Sequence, residues 1–206
     1  KGMQTREEDV VTKLFLSSNH SYLLYFTDMG RVYRTKTYNI PEAGRTAKGT
    51  PVVNIIEKSP EEKISEIIPV KEFSDNEYLV MVTKNGVIKK TPASEYESIR
   101  KSGKIAITLK EGDELISIFK TTGNDNIFLA TRNGMAICFN ENDARAVGRT
   151  ASGVKAIDLA DGDYVVGAEP VREDSKVLLV TDGGYGKCTD LTSFRIQHRG
   201  GKGLTA

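Results

Sequence analysis

The sequence predicts an all-β protein: a propeller-like ring of four-stranded antiparallel blades, with about four blades in the 206 residues. Two observations predict this fold. A four-residue turn that starts with Thr and ends with Gly occurs four times, and a short apolar run precedes every copy. A repeat near 50 residues is typical of blades that pack radially. The turns TDMG, TKNG, TRNG and TDGG end at Gly30, Gly86, Gly134 and Gly184, at spacings of 56, 48 and 50 residues.

The apolar runs predict one buried strand before each turn, since four or five residues are too few for a helix. Glycine at the end of the turn supplies the positive φ that a tight hairpin needs. Each turn should therefore join two antiparallel strands. The first strands span 22–26, 78–82, 127–130 and 177–180, and the second strands begin with RVYRTKTY, VIKKT, MAICF and YGKCT.

Two further strands complete each predicted repeat, and no segment predicts a helix. A second glycine follows each turn glycine by 17 or 19 residues, at Gly49, Gly103, Gly153 and Gly203. We expect a third strand after this glycine, at 51–56, 104–109 and 154–159, whereas only LTA follows the last copy. We expect a fourth strand, introduced by acidic residues, at 7–16, 61–70, 112–120 and 162–171. The repeats of this single domain span approximately 6–56, 61–109, 112–159 and 162–206.

Charged residues are sorted by their position in the repeat, although the chain has a net charge of only +1. The segments between the two glycine landmarks are basic, so the rest of the chain is acidic. Because radial repeats place equivalent segments on the same part of a ring, we expect one basic band suited to a polyanion. These basic segments are residues 31–49, 84–104, 132–155 and 182–202, with net charges of +4, +4, +2 and +2.

The candidate polyanion contacts are lysines and arginines of the basic segments. Without a recognition helix or stacking aromatic residues, such side chains would contact phosphates and accept any sequence. The alternative is that they only solvate exposed hairpins, which is the better interpretation for any single residue but does not explain the sorting of signs. The predicted contacts are Arg31, Arg34, Lys36, Arg45, Lys48, Lys84, Lys89, Lys90, Arg100, Lys101, Lys104, Arg132, Arg145, Arg149, Lys155, Lys187 and Arg195.

The last segment resembles a family motif, Q-[RK]-R-G-G-K-G, the box that defines the C-terminal domain of the bacterial DNA gyrase A protein, in the type IIA topoisomerase family. Its glycines let the backbone approach phosphates, and its Arg and Lys supply charge. The similarity continues through FTDMGRVYRTKTYNIPEA, KGTPVVNII and SGKIAITLKEGDELISI. The box-like segment departs from the motif only at its His and consists of Gln197, His198, Arg199, Gly200, Gly201, Lys202 and Gly203.

The resemblance implies a β-pinwheel that wraps double-stranded DNA around a basic rim and so supports ATP-dependent negative supercoiling by the holoenzyme. It implies the rest of the gyrase A protein and the gyrase B protein as partners in an A2B2 assembly, a cytoplasmic location and no membrane partner. ATP and Mg²⁺ would serve the holoenzyme, so we expect no cofactor and no catalytic residue in this chain. Since the family's domain usually has six blades with the box on the first, this chain would hold blades two to five.

Three rival interpretations remain. A protein-interaction propeller of the WD type commonly carries Trp-Asp dipeptides, and this chain has no Trp. A propeller enzyme should gather acids or histidines at one end of the ring, whereas the two cysteines, Cys138 and Cys188, and the two histidines lack metal-ligand spacing. The related C-terminal domain of the A-type topoisomerase IV protein tends to have fewer blades and a degraded box, so the intact glycines of the box-like segment favour gyrase.

Overall fold

The computed structural model describes residues 9–172 and 174–206, and in these ranges the chain forms β-strands and 3₁₀ turns without an α-helix. The prediction of an all-β chain is confirmed. Within the same ranges, no helix is long and apolar enough to cross a membrane. The strands are β1 (Tyr22–Thr27), β2 (Arg31–Lys36), β3 (Ile64–Val70), β4 (Tyr78–Thr83), β5 (Val87–Pro92), β6 (Lys104–Ile105), β7 (Leu115–Thr121), β8 (Asn126–Thr131), β9 (Met135–Asn140), β10 (Val154–Lys155), β11 (Val165–Pro170), β12 (Lys176–Val180), β13 (Gly186–Asp190), β14 (Ile196–Gln197) and β15 (Leu204–Thr205). The 3₁₀ turns are Thr37–Asn39, Val52–Asn54, Ala93–Tyr96, Glu141–Asp143 and Leu191–Ser193.

Antiparallel hairpins form where the turn motif predicts them: β1 pairs with β2, β4 with β5, β8 with β9, and β12 with β13. The turn glycines have φ angles from +73° to +81°, the left-handed region in which a Cβ is unfavourable. In each turn, the Thr hydroxyl accepts a hydrogen bond of 3.2 to 3.3 Å from the amide that follows the glycine. Both defining positions of the motif, Thr and Gly, therefore shape the hairpin.

Neighbouring repeats exchange strands. The short strand β6 follows hairpin β4–β5 in the chain but pairs with β2 of the preceding hairpin, and β10 pairs in the same way with β5. The long strands β3, β7 and β11 cover the other edges, on β1, β4 and β8. Two sheets therefore have four strands, the third adds parallel β14 and antiparallel β15 to β9, and β12–β13 forms a two-stranded sheet within the described residues.

Some predicted strands are absent or shorter. Residues 51–56 contain the 3₁₀ turn Val52–Asn54, because Pro51 leads into a turn and has no N–H for strand pairing. Residues 9–16 form no strand, and residues 7 and 8 lie outside the described part. The equivalent strands β3, β7 and β11 each pair with the preceding hairpin. At 104–109 and 154–159, only two residues each, in β6 and β10, pair as strands.

The hydrophobic core lies between successive sheets. On the central strand β4, Leu79 and Met81 face the cluster shared with β1, whereas Val80 and Val82 face the cluster shared with β8 and β9. Successive residues of a strand point to opposite faces, so a strand covered on both faces reads as an unbroken apolar run. The run 78–82 is explained in this way, since these four side chains are fully buried.

The second glycine landmark lies where an exchanged strand approaches the preceding repeat. Gly153 has a φ of +88°, and a Cβ placed on it would lie 2.5 Å from the Ile88 carbonyl oxygen. Gly103 has a φ of +74°, and its Cβ would lie 2.6 Å from the Tyr33 ring. Gly49 has no such neighbour within 4 Å. The close approach therefore explains the glycine in the later repeats and not in the first.

Candidate nucleic-acid interface

The basic segments lie in a continuous series because each rests on the repeat before it. Arg31 Nη2 donates to the Ser102 carbonyl oxygen at 2.8 Å, which joins the first basic segment to the second. Similar hydrogen bonds join the later repeats, so equivalent segments of successive repeats are held next to one another. These are the bonds from Thr108 Oγ1 to the Thr150 carbonyl (2.7 Å) and from the Asp158 amide to the Gly201 carbonyl (2.8 Å).

More than half of the 17 predicted contacts are exposed, and most of these lie in loops and turns rather than inside the sheets. Lys155 forms an ion pair of 2.8 Å with Asp158, and this hydrogen bond holds the pKa of the Asp158 carboxyl below its usual range. Such a pair in water contributes little to stability and leaves the ammonium reachable. The nine exposed side chains are Arg45, Lys48, Arg100, Lys101, Arg132, Arg145, Lys155, Lys187 and Arg195.

Six predicted contacts are half-buried and partly held by neighbouring groups: Arg31, Arg34, Lys36, Lys84, Lys104 and Arg149. Arg34 and Lys36 lie over the Tyr22 ring, at 4.6 and 3.3 Å from its centroid. The hydrogen bond with Lys36 lowers the pKa of the Tyr22 hydroxyl. These cations still contribute to the local positive potential, although fewer of their donors face solvent.

A buried acid lies beneath the first basic segment. Glu62 accepts hydrogen bonds from the Tyr33 hydroxyl (2.7 Å) and the Ser59 amide (3.2 Å), and its other carboxylate oxygen lies 3.3 Å from Arg31 Nε. Glu62 is buried, whereas the Arg31 side chain is 38% exposed. Arg31 is therefore held between an internal carboxylate and the surface.

Lys89 and Lys90 are buried, and the prediction that they contact a polyanion is corrected. Lys90 Nζ lies 2.8 Å from the carboxylate of Glu141, which is itself fully buried. Lys89 Nζ donates to the backbone carbonyls of Ala106 and Arg149, and burial lowers its pKa to about 7. The physical reason is their position on β5, which lies inside its sheet between β4 and β10 and is covered on both faces. Neither ammonium is available to a phosphate.

Asp143 organises the start of the box-like segment. Its Oδ2 accepts a hydrogen bond of 3.1 Å from the Arg199 amide and lies 3.2 Å from His198 Nδ1. Its backbone carbonyl accepts from Arg199 Nε at 2.8 Å. The His198 ring is almost fully exposed, whereas Arg199 is half-buried. The segment is thus fixed to the preceding repeat through Arg199 and not through His198 alone.

The remaining residues of the box-like segment are Gln197, which lies in a strand, and a half-buried glycine-rich turn that carries Lys202. Gly200 and Gly203 have φ angles of +81° and +78°, which L side chains rarely adopt. A Cβ on Gly203 would also collide with a backbone carbonyl of β9. Lys202 between them is exposed, Gly201 has an ordinary backbone conformation, and Gln197 lies in β14. The turn therefore presents Lys202 at the surface.

Three acidic residues that hold the basic segments from inside were missed by the sequence interpretation: Glu62, Glu141 and Asp143. Glu141 and Asp143 lie within the basic segment 132–155, and an acidic residue at such a position could have indicated a partner for the neighbouring cations. Among the described residues, no group of three or more His, Cys, Asp and Glu side chains could hold a metal ion. Cys138 is buried and Cys188 is exposed, and both are free thiols.

Comparisons with known protein families and with individual relatives indicate the same family. A family model described as the DNA gyrase C-terminal domain, beta-propeller, matches residues 21–71, 77–122, 125–172 and 175–206. The A subunit of DNA gyrase from Staphylococcus epidermidis is 46% identical, over 99% of this chain and 23% of the relative. The chain thus spans less than a quarter of the length of that relative. The family matches begin at the hairpins, whereas our repeats begin at the acidic strands, and the predicted repeat boundaries stay a prediction.

Two solved structures share the fold. The C-terminal domain of DNA topoisomerase IV superposes with a TM-score of 0.85 at 32% identity, over 91% of this chain and 58% of the other. The DNA gyrase A C-terminal domain superposes with a TM-score of 0.76 at 26% identity, over 91% of this chain and 60% of the other. These similarities confirm the prediction of propeller-like blades.

Proposed function

This chain belongs to the DNA gyrase C-terminal domain family, and from that premise we propose that it binds duplex DNA without sequence preference and wraps it along the basic segments. In the whole enzyme, the wrapped DNA supports ATP-dependent negative supercoiling. The partners are duplex DNA, the rest of the gyrase A protein and the gyrase B protein, in the cytoplasm. ATP and Mg²⁺ act at sites of the holoenzyme, and this chain contributes binding rather than chemistry.

The observation that carries the proposal is the continuous series of basic loops. Hydrogen bonds between successive repeats hold equivalent loops side by side, and nine of their predicted contacts are exposed. A duplex carries regularly spaced phosphates along its whole length, so a row of cations suits it better than one pocket would. Phosphate contacts fix the position of DNA but carry no sequence information directly.

Charge reversal on the basic loops tests the proposal. Lys48, Arg100 and Lys101 are exposed loop residues of the first two basic segments. Replacing all three with Glu removes up to three phosphate contacts and adds repulsion. We expect the slope of log affinity against log salt to fall in magnitude by about 2 to 3, at about 0.9 per phosphate. The readout is fluorescence anisotropy with a labelled duplex of about 40 base pairs, across a salt series.

The matched control reverses three lysines outside the basic segments, Lys63, Lys71 and Lys110, which are also exposed. Both triple variants change the net charge by the same amount, so general electrostatic attraction is matched. We expect the control variant to lose affinity several-fold less than the first. Equal losses from both variants would show that total charge, and not the series of basic loops, determines binding.

The comparison with topoisomerase IV supports a second candidate, because its C-terminal domain superposes with the higher of the two TM-scores. Both candidates predict DNA binding, so the holoenzyme distinguishes them. The complete protein that contains this chain, assembled with its partner protein, should introduce negative supercoils into relaxed plasmid DNA. Relaxation and decatenation without supercoiling would favour the second candidate.

A further inference from the structure

We propose that Arg199 is a positioning residue that fastens the box-like segment to the preceding repeat, and that Lys202 is the residue of this segment that contacts DNA phosphate. The division of roles rests on the proposed DNA binding, since it states which cation of the segment meets the phosphate. The fastening itself is a property of the folded chain and can be tested without DNA.

The contacts of Arg199 run inward. Its Nε donates to the Asp143 carbonyl oxygen at 2.8 Å and its Nη1 to the Lys155 carbonyl oxygen at 2.9 Å. Its backbone amide donates to the Asp143 carboxylate at 3.1 Å. The guanidinium fork thus bridges two separate stretches of the preceding repeat, a geometry that suits its fixed planar donors. The nearby carboxylate also disfavours a phosphate at this point.

The same contact occurs one repeat earlier. Arg149 lies four residues before Gly153, as Arg199 lies four residues before Gly203, and Arg149 Nη1 donates to the Ile105 carbonyl oxygen. Ile105 and Lys155, the two acceptors, each lie two residues after a landmark glycine. In these two repeats, the arginine therefore binds the exchanged strand of the repeat before it, whereas Arg45, in the same register of the first repeat, is exposed.

In the second to fourth repeats, the side chain four residues before the landmark glycine points toward the protein interior or the neighbouring repeat. In the second repeat the equivalent position is Ile99, four residues before Gly103, and its side chain is buried in the core between the first two sheets. In the second, third and fourth repeats, this position therefore holds a buried isoleucine or an inward-bonded arginine and serves packing. Lys202, by contrast, is exposed on the glycine-rich turn. Its charge helps to lower the pKa of the Asp158 carboxyl, but that carboxylate is already paired with Lys155 at 2.8 Å.

The test compares two neutralising variants that remove one positive charge each, Arg199→Met and Lys202→Met. The first readout is urea unfolding of the 206-residue chain. We expect Arg199→Met to raise the unfolding equilibrium constant about tenfold or more, since two hydrogen bonds from a charged group are lost. Lys202→Met should leave it unchanged. Arg199→Lys should resemble Arg199→Met, because lysine lacks the planar fork whose two separate nitrogens, Nε and Nη1, reach the two carbonyls.

Amide hydrogen exchange locates the effect. The Gly200 amide donates to the Ala156 carbonyl at 2.7 Å and the Asp158 amide to the Gly201 carbonyl at 2.8 Å, and both bonds cross between the repeats. We expect Arg199→Met to speed exchange at these two amides while the amides of β4 and β8 keep their protection. Unchanged unfolding and unchanged exchange in Arg199→Met would overturn the fastening role.

DNA binding decides the division of roles. Each phosphate contact contributes about 0.9 to the salt slope, so Lys202→Met should reduce the slope by about that amount. Arg199→Lys keeps the charge and should keep the slope. If Arg199→Met reduces the magnitude of the salt slope and Lys202→Met does not, Arg199 is the residue that contacts the phosphate, and the proposal fails. If the unaltered chain does not bind DNA at all, the proposed function fails, and the unfolding and exchange measurements still decide the fastening.

Discussion

Replacing Lys90 with Met should destabilise the fold without changing the salt dependence of DNA binding. Lys90 is the buried cation whose predicted DNA contact the structure corrects: its side chain is only 5% exposed and its ammonium is 2.8 Å from the Glu141 carboxylate. It also lies 4.4 Å from the centroid of the Tyr78 ring and 3.1 Å from Asn142 Oδ1. The ammonium thus has partners inside the protein and no route to a phosphate.

The expected magnitude follows from what remains around Glu141. Met leaves a fully buried carboxylate without its cation, and breaking a buried pair in this way costs about 3 to 5 kcal/mol. Glu141 keeps hydrogen bonds from the amides of Gly123 (2.9 Å) and Asp125 (2.7 Å) and from the Thr121 hydroxyl (2.8 Å). Because these three donors still solvate the carboxylate, we expect the lower end, about 3 kcal/mol.

Urea unfolding measures the loss, and two further variants identify its cause. The double variant Lys90→Met with Glu141→Gln removes both charges and should recover part of the loss, with a coupling energy of about 1 to 3 kcal/mol. Lys101→Met, at an exposed loop position, should change stability by less than about 0.5 kcal/mol. A cost below about 1 kcal/mol for Lys90→Met, or a reduced salt slope with normal stability, would refute the internal role.

In urea unfolding, Gly153→Ala should lower the free energy of unfolding by more than about 3 kcal/mol, and Gly162→Ala by only about 1 to 2 kcal/mol. Both glycines have a positive φ, but only at Gly153 would a Cβ lie 2.5 Å from a carbonyl oxygen. Equal losses would contradict the close approach at Gly153. Burial lowers the pKa of Lys89 from 10.5 to about 7, so this side chain binds fewer protons in the folded than in the unfolded state. Between pH 7 and about 10, the stability of the unaltered chain should therefore rise relative to that of Lys89→Met, by up to about 1.4 kcal/mol per pH unit. Parallel profiles of stability against pH for the two chains would exclude this shift. A thiol reagent should label the exposed Cys188 at once and the buried Cys138 only as the chain unfolds, because burial shields the Cys138 thiol and raises its pKa. Mass spectrometry of the labelled peptides gives the order of labelling. Equal labelling rates would contradict the burial of Cys138.

The hairpins were predictable from the sequence because their determinants are local. Thr27 and Gly30, for example, lie within one turn, and the glycine φ of +73° and the Thr hydroxyl bond involve only neighbouring residues. The strand exchange was not predictable, because β6 finds its partner β2 about 70 residues earlier in the chain. A pattern in one repeat does not reveal whether its short strand pairs within that repeat or with another.

The candidate site was predictable as a set of basic loops and less so residue by residue. Lys89 and Lys90 look like surface charges, yet the equivalent residues three and four positions after the next turn glycine are Ile137 and Cys138, both buried. Alignment with that repeat therefore indicated burial, but Lys187 and Cys188 at the same positions of the last repeat are exposed, so alignment alone did not decide the question. The partners that make burial of a charge possible, such as Glu141, come from another repeat and could not be identified from spacing alone.

The salt dependence of binding to two unrelated duplexes shows whether the chain holds DNA by its phosphates along the basic segments. With nine of the predicted contacts exposed in the basic segments, we predict a linear plot of log affinity against log salt, with a slope between about −3 and −8. The two duplexes should have affinities within about threefold of each other, since phosphate contacts do not read sequence. Binding that persists as salt rises, or that depends strongly on the duplex sequence, would contradict binding through the backbone along the basic segments.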